Sequence, residues 1–181
     1  MRAQVRFVAE GSTFAPSGLE EVRVPAQGVA RVPLDGPLAE AGDVLGIEVR
    51  ATGPVVAALR AVAEGDLALS APGQPLAVPT SLVVPTGPKR LLLAGADSTG
   101  AVSYVARSAS GAELAADRVE VAPDRGTTIE LPERAALVEI TQHGATVVAA
   151  VLATTDTAAT VLPFTAPQRE LLVPDVRPGL P

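Results

Sequence analysis

The residues able to do acid–base or nucleophilic chemistry are few in this chain, and none falls into a working constellation. The single histidine, His143, sits in Gln142-His143-Gly144 between two apolar runs. An imidazole acts as a general base or metal ligand only with partners, either a serine and a carboxylate or further ligating side chains. The sequence has no Gly-x-Ser-x-Gly elbow, and the pattern around His143 predicts a hairpin-loop residue in water. The carboxylates Asp35, Asp43, Glu64, Asp66, Asp97, Asp117, Asp124 and Asp156 are the raw material for a glycosidase pair or a Ca²⁺ shell. They stand singly, as in Asp35-Gly36, Gly42-Asp43, Gly65-Asp66 and Asp97-Ser98. That is turn chemistry, in which a short Asp side chain bonds its own backbone. No Asp-x-Asp-x-Asp-Gly run occurs, so a calcium site would have to be assembled from separate loops. Glu20-Glu21 beside Arg23 reads as a charged strand edge that discourages edge-to-edge association. Asp124-Arg125-Gly126 has the residues of an adhesion tripeptide in the wrong order, and with Pro123 it reads as a β-turn between Val121 and Ile129.

Phe7, Phe14, Tyr104 and Phe164 are the only aromatic residues, and there is no tryptophan. An aromatic platform for stacking sugars is therefore not expected, while glycan recognition by hydrogen bonds stays open. The net charge is −6 and Lys89 is the only lysine, which argues against nucleic acid and against a polybasic membrane patch. With no cysteine, disulfides and thiolate zinc sites are ruled out. No cofactor and no catalytic, metal or cofactor-binding residue is assigned. Apolar runs stay well below the ~18 residues a membrane span needs. No apolar signal core follows Met1-Arg2-Ala3-Gln4-Val5, and the chain opens directly in an alternating pattern, as a trimmed segment would.

The elements that must position these residues are strands. Ile47, Val49 and Ala51 alternate with Gly46, Glu48 and Arg50, and Val138 and Ile140 with Glu139 and Thr141, which is the period of a half-buried strand. Turn residues recur every 8 to 12 positions, the spacing of a sandwich. The 17 prolines disfavour long helices, at ~3 kcal/mol for each interior position. Val5-Arg6-Phe7-Val8-Ala9 returns as Val102-Ser103-Tyr104-Val105-Ala106. Val22, Val24, Val32 and Leu34 return as Val119, Val121, Ile129 and Leu131, and Val55-Val56-Ala57-Ala58-Leu59 as Val147-Val148-Ala149-Ala150-Val151. This spacing is too long for a solenoid and suits a small domain.

The expected fold is thus all-β: two tandem Ig-like β-sandwich repeats, residues 1–75 and 76–166, followed by a proline-rich tail or extra strand over 167–181. Strands are predicted at 5–9, 21–24, 30–34, 46–51, 55–62 and 67–69 in the first repeat. In the second they are predicted at 82–84, 90–94, 102–107, 118–121, 127–131, 137–141, 147–153 and 160–164. The first repeat lacks counterparts of 82–84 and 90–94, which would have to precede Met1. Short helical turns are expected at 37–41 and 132–136. A proline-stiffened linker over 71–80 is expected to hold the repeats apart. Residues 169–174 resemble 80–85, so 171–173 is expected to pair with the open sheet edge of the first repeat, in its own chain or as a strand-exchanged homodimer. The alternative is a tail lying loosely on the second repeat.

The runs Gly18-Leu19-Glu20-Glu21-Val22-Arg23-Val24-Pro25-Ala26, Thr52-Gly53-Pro54-Val55-Val56-Ala57-Ala58-Leu59-Arg60 and Leu82-Val83-Val84-Pro85 resemble an actinobacterial family of unknown function. Its members resemble exported or membrane-anchored envelope proteins with repeated β units. The resemblance covers most of the chain, carries no catalytic signature and implies a longer N-terminus and an extracytoplasmic location. The expected function is a non-enzymatic structural or interaction module of the cell envelope, binding a protein or polysaccharide and reaching a membrane only through an anchor outside this chain. The alternatives are a carbohydrate-binding module and an enzyme with a loop-built carboxylate site.

Overall fold

A computed structural model describes residues 1–63, 66–155 and 158–166. The expected strand 171–173, and Glu64 and Asp156 among the carboxylates, lie outside the described residues. The fold is an all-β sandwich, with fourteen strands and one short helix described.

The first half is built on β1 (Arg2–Val8), whose Ala3, Val5 and Phe7 face inward. Two short strands, β2 (Thr13–Phe14) and β3 (Val22–Arg23), share one edge of β1. Between them residues 15–21 leave the edge, and Leu19 is drawn into the core while its carbonyl accepts from Val5 N–H at 3.0 Å. The helix α1 (Asp35–Ala41) ends at Gly42, whose φ of 74° suits glycine. The next strand, β4 (Gly46–Ala51), takes the other edge of β1 and sets Ile47 opposite Phe7. Further on, β5 (Leu59–Ala63) and β6 (Asp66–Ser70) form a separate two-stranded ribbon.

The second half is a closed two-sheet sandwich. Its strands are β7 (Thr80–Val83), β8 (Lys89–Ala94), β9 (Gly100–Arg107), β10 (Glu113–Val121), β11 (Thr127–Leu131), β12 (Leu137–His143), β13 (Val148–Thr154) and β14 (Ala159–Pro163). They order as β10-β9-β12-β7 in one antiparallel sheet and β11-β8-β13-β14 in the other. Val102, Val138 and Ile140 from the first sheet meet Leu91, Val147 and Val151 from the second. All are essentially sealed from water, and each fully buried side chain of this size contributes about 1.5–3 kcal/mol.

Several expectations need correction. Residues 30–34 and 55–58 are not strands. Apolar alternation sets which way side chains face, but a strand also needs a neighbour for its backbone hydrogen bonds, and β8 has no described counterpart in the first half. Val32 and Leu34 still pack on the small core there. Residues 132–136 make a turn, closed by Ala135 N–H to Pro132 O at 2.9 Å, rather than a helix. The linker does not hold the halves apart. Leu76 is fully buried on the second sandwich and exchanges backbone hydrogen bonds with Val147. Gly126 N–H, in the second half, donates to Ala9 O of the first at 2.8 Å.

Candidate functional site

The junction of the halves is a charged cluster that no local motif announced. Arg6, on the outer face of β1, lies opposite Glu48 of β4, with Nη1 to Oε2 at 2.9 Å. The same Nη1 is 3.1 Å from Asp124 Oδ1, across the junction, and Nη2 donates to Thr13 O at 3.0 Å. Arg50 Nε donates to Glu48 Oε1 at 2.7 Å, and its Nη2 is 3.5 Å from Asp124 Oδ1. The hydrogen bond to Glu48 is the main reason the Arg50 guanidinium is held more basic than usual. Asp124 reaches this position because the 123–124 turn gives it a left-handed φ of 60°. Behind it Gly126 is packed so closely that a Cβ would sit 2.9 Å from Leu45 Cδ1 and 3.2 Å from Val8 Cγ1.

These groups edge a shallow cleft of about 290 Å³, lined by Val8, Thr13, Glu48, Arg50, Asp97 and Asp124 among others. Of its charged groups, Glu48, Arg50 and Asp124 are bound up with one another and with Arg6 in the ion-pair cluster. Asp97 is also committed. It accepts from Thr146 N–H at 2.8 Å and Ser98 Oγ at 3.0 Å, and these bonds, with Thr146 first, hold its carboxyl below the usual value. The cluster therefore fastens the two halves together.

His143 is not in a loop. It is the last residue of β12, exposed and paired with Ala101, and the turn begins at Gly144. Its Nε2 lies 3.0 Å from Ser103 Oγ, a pairing the sequence reading did not anticipate. The two lie on an open sheet face, and among the described residues no carboxylate is bonded to the ring. A nucleophile–base pair needs that third group and a donor site for the oxyanion. Among the described residues the remaining carboxylates stand on separate elements. Asp35 opens α1, Asp43 follows it, Asp66 opens β6, and Asp117 lies within β10. Glu21 pairs with Arg2 at 3.2 Å on the β1–β3 edge. Among the described residues, no group of three His, Cys, Asp or Glu could hold a metal ion. Phe7 and Phe14 pack edge to face at 6.1 Å, and Tyr104 and Phe164 are buried, so the aromatics serve packing.

The one lysine is buried as well. Lys89, only 2% exposed, donates from Nζ to Glu133 O at 2.8 Å and Pro132 O at 3.3 Å. Burial lowers its pKa, partly opposed by Glu133. It closes the end of the second sandwich by satisfying the carbonyls of the 132–136 turn.

The surface best able to bind something is the β5–β6 ribbon with the edges beside it. Val62, Leu69 and Val56 are 62%, 71% and 94% exposed, and Val55 and Leu59 about 40%. A two-stranded ribbon by itself is barely stable in water, and apolar side chains on an open edge favour pairing with another strand. Among the described residues, no strand lies on the outer edge of β4 or on the edge of β5 away from β6. What this arrangement can do chemically is hydrogen-bond an extended backbone and bury apolar side chains.

No helix among the described residues is long and apolar enough to cross a membrane. Neither a curated protein nor a solved structure matches the chain significantly. A family profile does match, over residues 2–132, from β1 through β11. It spans both halves and includes Arg6, Glu48, Arg50 and Asp124, all four charges of the junction. The chain therefore belongs to DUF5719, a family of unknown function.

Proposed function

We propose that this chain is a non-enzymatic structural and interaction module of a bacterial cell envelope, working outside the cytoplasm and holding a polypeptide partner there. The observation that carries the reading is the exposed apolar ribbon β5–β6, together with the open edge of β4. Soluble chains seldom leave such strands uncovered, and those that do commonly use them for association. The resemblance to exported envelope proteins supports the location.

The reading includes a common plan for the two halves. Leu59 opposite Ser70 and Val62 opposite Leu67 recur 92 residues on as Val151 opposite Leu162 and Thr154 opposite Ala159. Phe7 opposite Ile47 recurs as Tyr104 opposite Ile140. On this plan the described strands of the first half correspond to those of the second from β9 onward.

The test is co-sedimentation of the purified chain with envelope fractions from an actinobacterium, before and after protease or glycan-hydrolase treatment. Binding that protease abolishes, and that a Val56→Ser/Val62→Ser/Leu69→Ser variant lacks, is the expected result. Binding that survives protease and is lost to glycan hydrolases would make the chain a carbohydrate-binding module instead. No sedimentation with any fraction would defeat the proposal.

A further inference from the structure

The second sandwich has one long free edge of its own. Its longest described strand is β10, nine residues from Glu113 to Val121, and among the described residues β10 pairs only with β9. The Arg118 N–H is bonded to the carboxylate of its own neighbour, Asp117 Oδ1, at 2.7 Å, so it points away from β9. The N–H groups of Ala116 and Glu120, two residues to either side, point the same way. Arg118 and Glu120 are exposed, and among the described residues neither side chain is in an ion pair. Elsewhere in this chain an Arg set directly opposite a Glu marks the register of antiparallel strands. Arg6 faces Glu48 at 2.9 Å, Arg90 faces Glu130 at 3.8 Å, and Arg107 faces Glu113 at 3.9 Å.

We propose that the free edge of β10 pairs antiparallel with the same edge of a second copy of this chain, joining the two β10-β9-β12-β7 sheets into one. A two-fold axis at Val119 sets Arg118 opposite the second copy's Glu120, and Glu120 opposite its Arg118. The outward N–H and C=O groups of the two strands then meet as hydrogen-bonded pairs. The neighbouring registers fail on charge. An axis at Arg118 or at Glu120 sets like charges directly opposite, and an axis at Asp117 opposes two carboxylates, each of which destabilises a strand pair. On pairing, the second copy's Glu120 carbonyl takes over the Arg118 N–H that Asp117 holds in the single chain. The interface is isologous and closes at two copies. A single strand edge is a small interface, which makes the pair concentration-dependent. It uses neither the β5–β6 ribbon nor β4, so it stands apart from the reading above.

Sedimentation equilibrium of the full chain, from about 10 μM to about 1 mM, tests the proposal together with amide hydrogen exchange. The expected result is a mass that doubles with concentration, an association that weakens as salt is raised, and slowed exchange at Ala116, Arg118 and Glu120 in the dimer. Arg118→Glu and Glu120→Arg should each weaken association at least about tenfold, with melting temperatures near wild type because both side chains are exposed. Mixed in equal amounts, the two variants should associate with each other, since each then meets its opposite charge. The doubly exchanged Arg118→Glu/Glu120→Arg chain should pair with itself again. Asp117→Ala, which frees the Arg118 N–H, should tighten association. A chain that stays monomeric at about 1 mM, or a dimer indifferent to both charge reversals, overturns the proposal. So does failure of the two folded variants to associate when mixed. A monomer in which the amides of Ala116, Arg118 and Glu120 are already protected overturns it too, because another segment of the same chain then covers the edge.

Discussion

Among the described residues, seventeen buried apolar side chains form one cluster in the second half, from Leu76 to Phe164, whereas the first half's cluster has three, Val5, Phe7 and Leu19. The chemistry of the two is alike, Val- and Leu-rich alternation with an aromatic turned inward, Phe7 on β1 and Tyr104 on β9. What separates them, among the described residues, is a central strand like β8. In the second half it is the strand on which Leu91 and Leu93 close the core and along which both β11 and β13 pair. Without it the first half covers its sheet with α1 and the coil at 30–34, and its ribbon β5–β6 pairs only within itself among the described residues. A sandwich thus depends on its central strands twice, once for apolar area and once for hydrogen bonds, and losing one disorders the pairing on both sides.

The sharpest way to break this comparison is to place a charge at matched positions. Val151→Asp buries an unpaired carboxylate and is expected to cost about 3 kcal/mol or more. Leu59→Asp is expected to cost less than about 1 kcal/mol, and Val56→Asp, at a 94% exposed position, to fall within about 0.5 kcal/mol. Urea denaturation of the three variants decides it, and equal losses would mean the first half is closed in solution. Glycines give a second contrast. A Cβ at Gly100 would meet His143 O at 2.5 Å and Ala145 Cβ at 2.8 Å, whereas at Gly53 it would approach only Met1 Sδ at 4.0 Å. Gly100→Ala should therefore lose about 1–3 kcal/mol, with Gly53→Ala nearly silent in the same melts.

Arg6→Ala tests how the halves are joined. It removes the guanidinium that Glu48 and Asp124 share and should cost about 1–2 kcal/mol, with calorimetry resolving one transition into two. Arg107→Ala breaks a 2.8 Å pair with Glu139 inside the second half and should leave a single transition. The smallest effect concerns acid. Asp97 has a depressed carboxyl pKa in the folded state. Its contribution is complete above the ordinary value of 3.8 and is lost as pH falls through the lower folded value. Melting temperatures of Asp97→Asn across that range should fall less steeply with acid than those of wild type.

Much of the second half was legible in the alternation of its residues. All eight strands overlap the stretches that Leu82, Leu91, Val102 and their successors mark, although β10 opens already at Glu113 and β12 runs on to His143, and β4 matches its expected bounds of 46–51. Residues 30–34 and 55–58 misled because period two encodes a face, while strand formation also depends on a partner that no local pattern reports. The junction was hidden for a related reason. Arg6 and Asp124 are 118 positions apart, and only knowing that β1 pairs with β4 would have set Arg6 against Glu48 as an opposite-charge pair. Ser103 and His143 meet for the same reason, through the β9–β12 register. The residue types were visible, but the distances between them belong to the topology.

The burial of Lys89 has a practical consequence. It is the chain's only lysine, and its amine is enclosed against two carbonyls. Acylating reagents, which need both an uncharged amine and access to it, meet a side chain that satisfies the first condition more readily than usual and fails the second. Covalent modification at this position therefore reports the opening of the second sandwich. Peptide mass mapping after brief acylation, read on the peptide that holds Lys89 and not on the one that holds the exposed Met1 amine, would clock the breathing of that half.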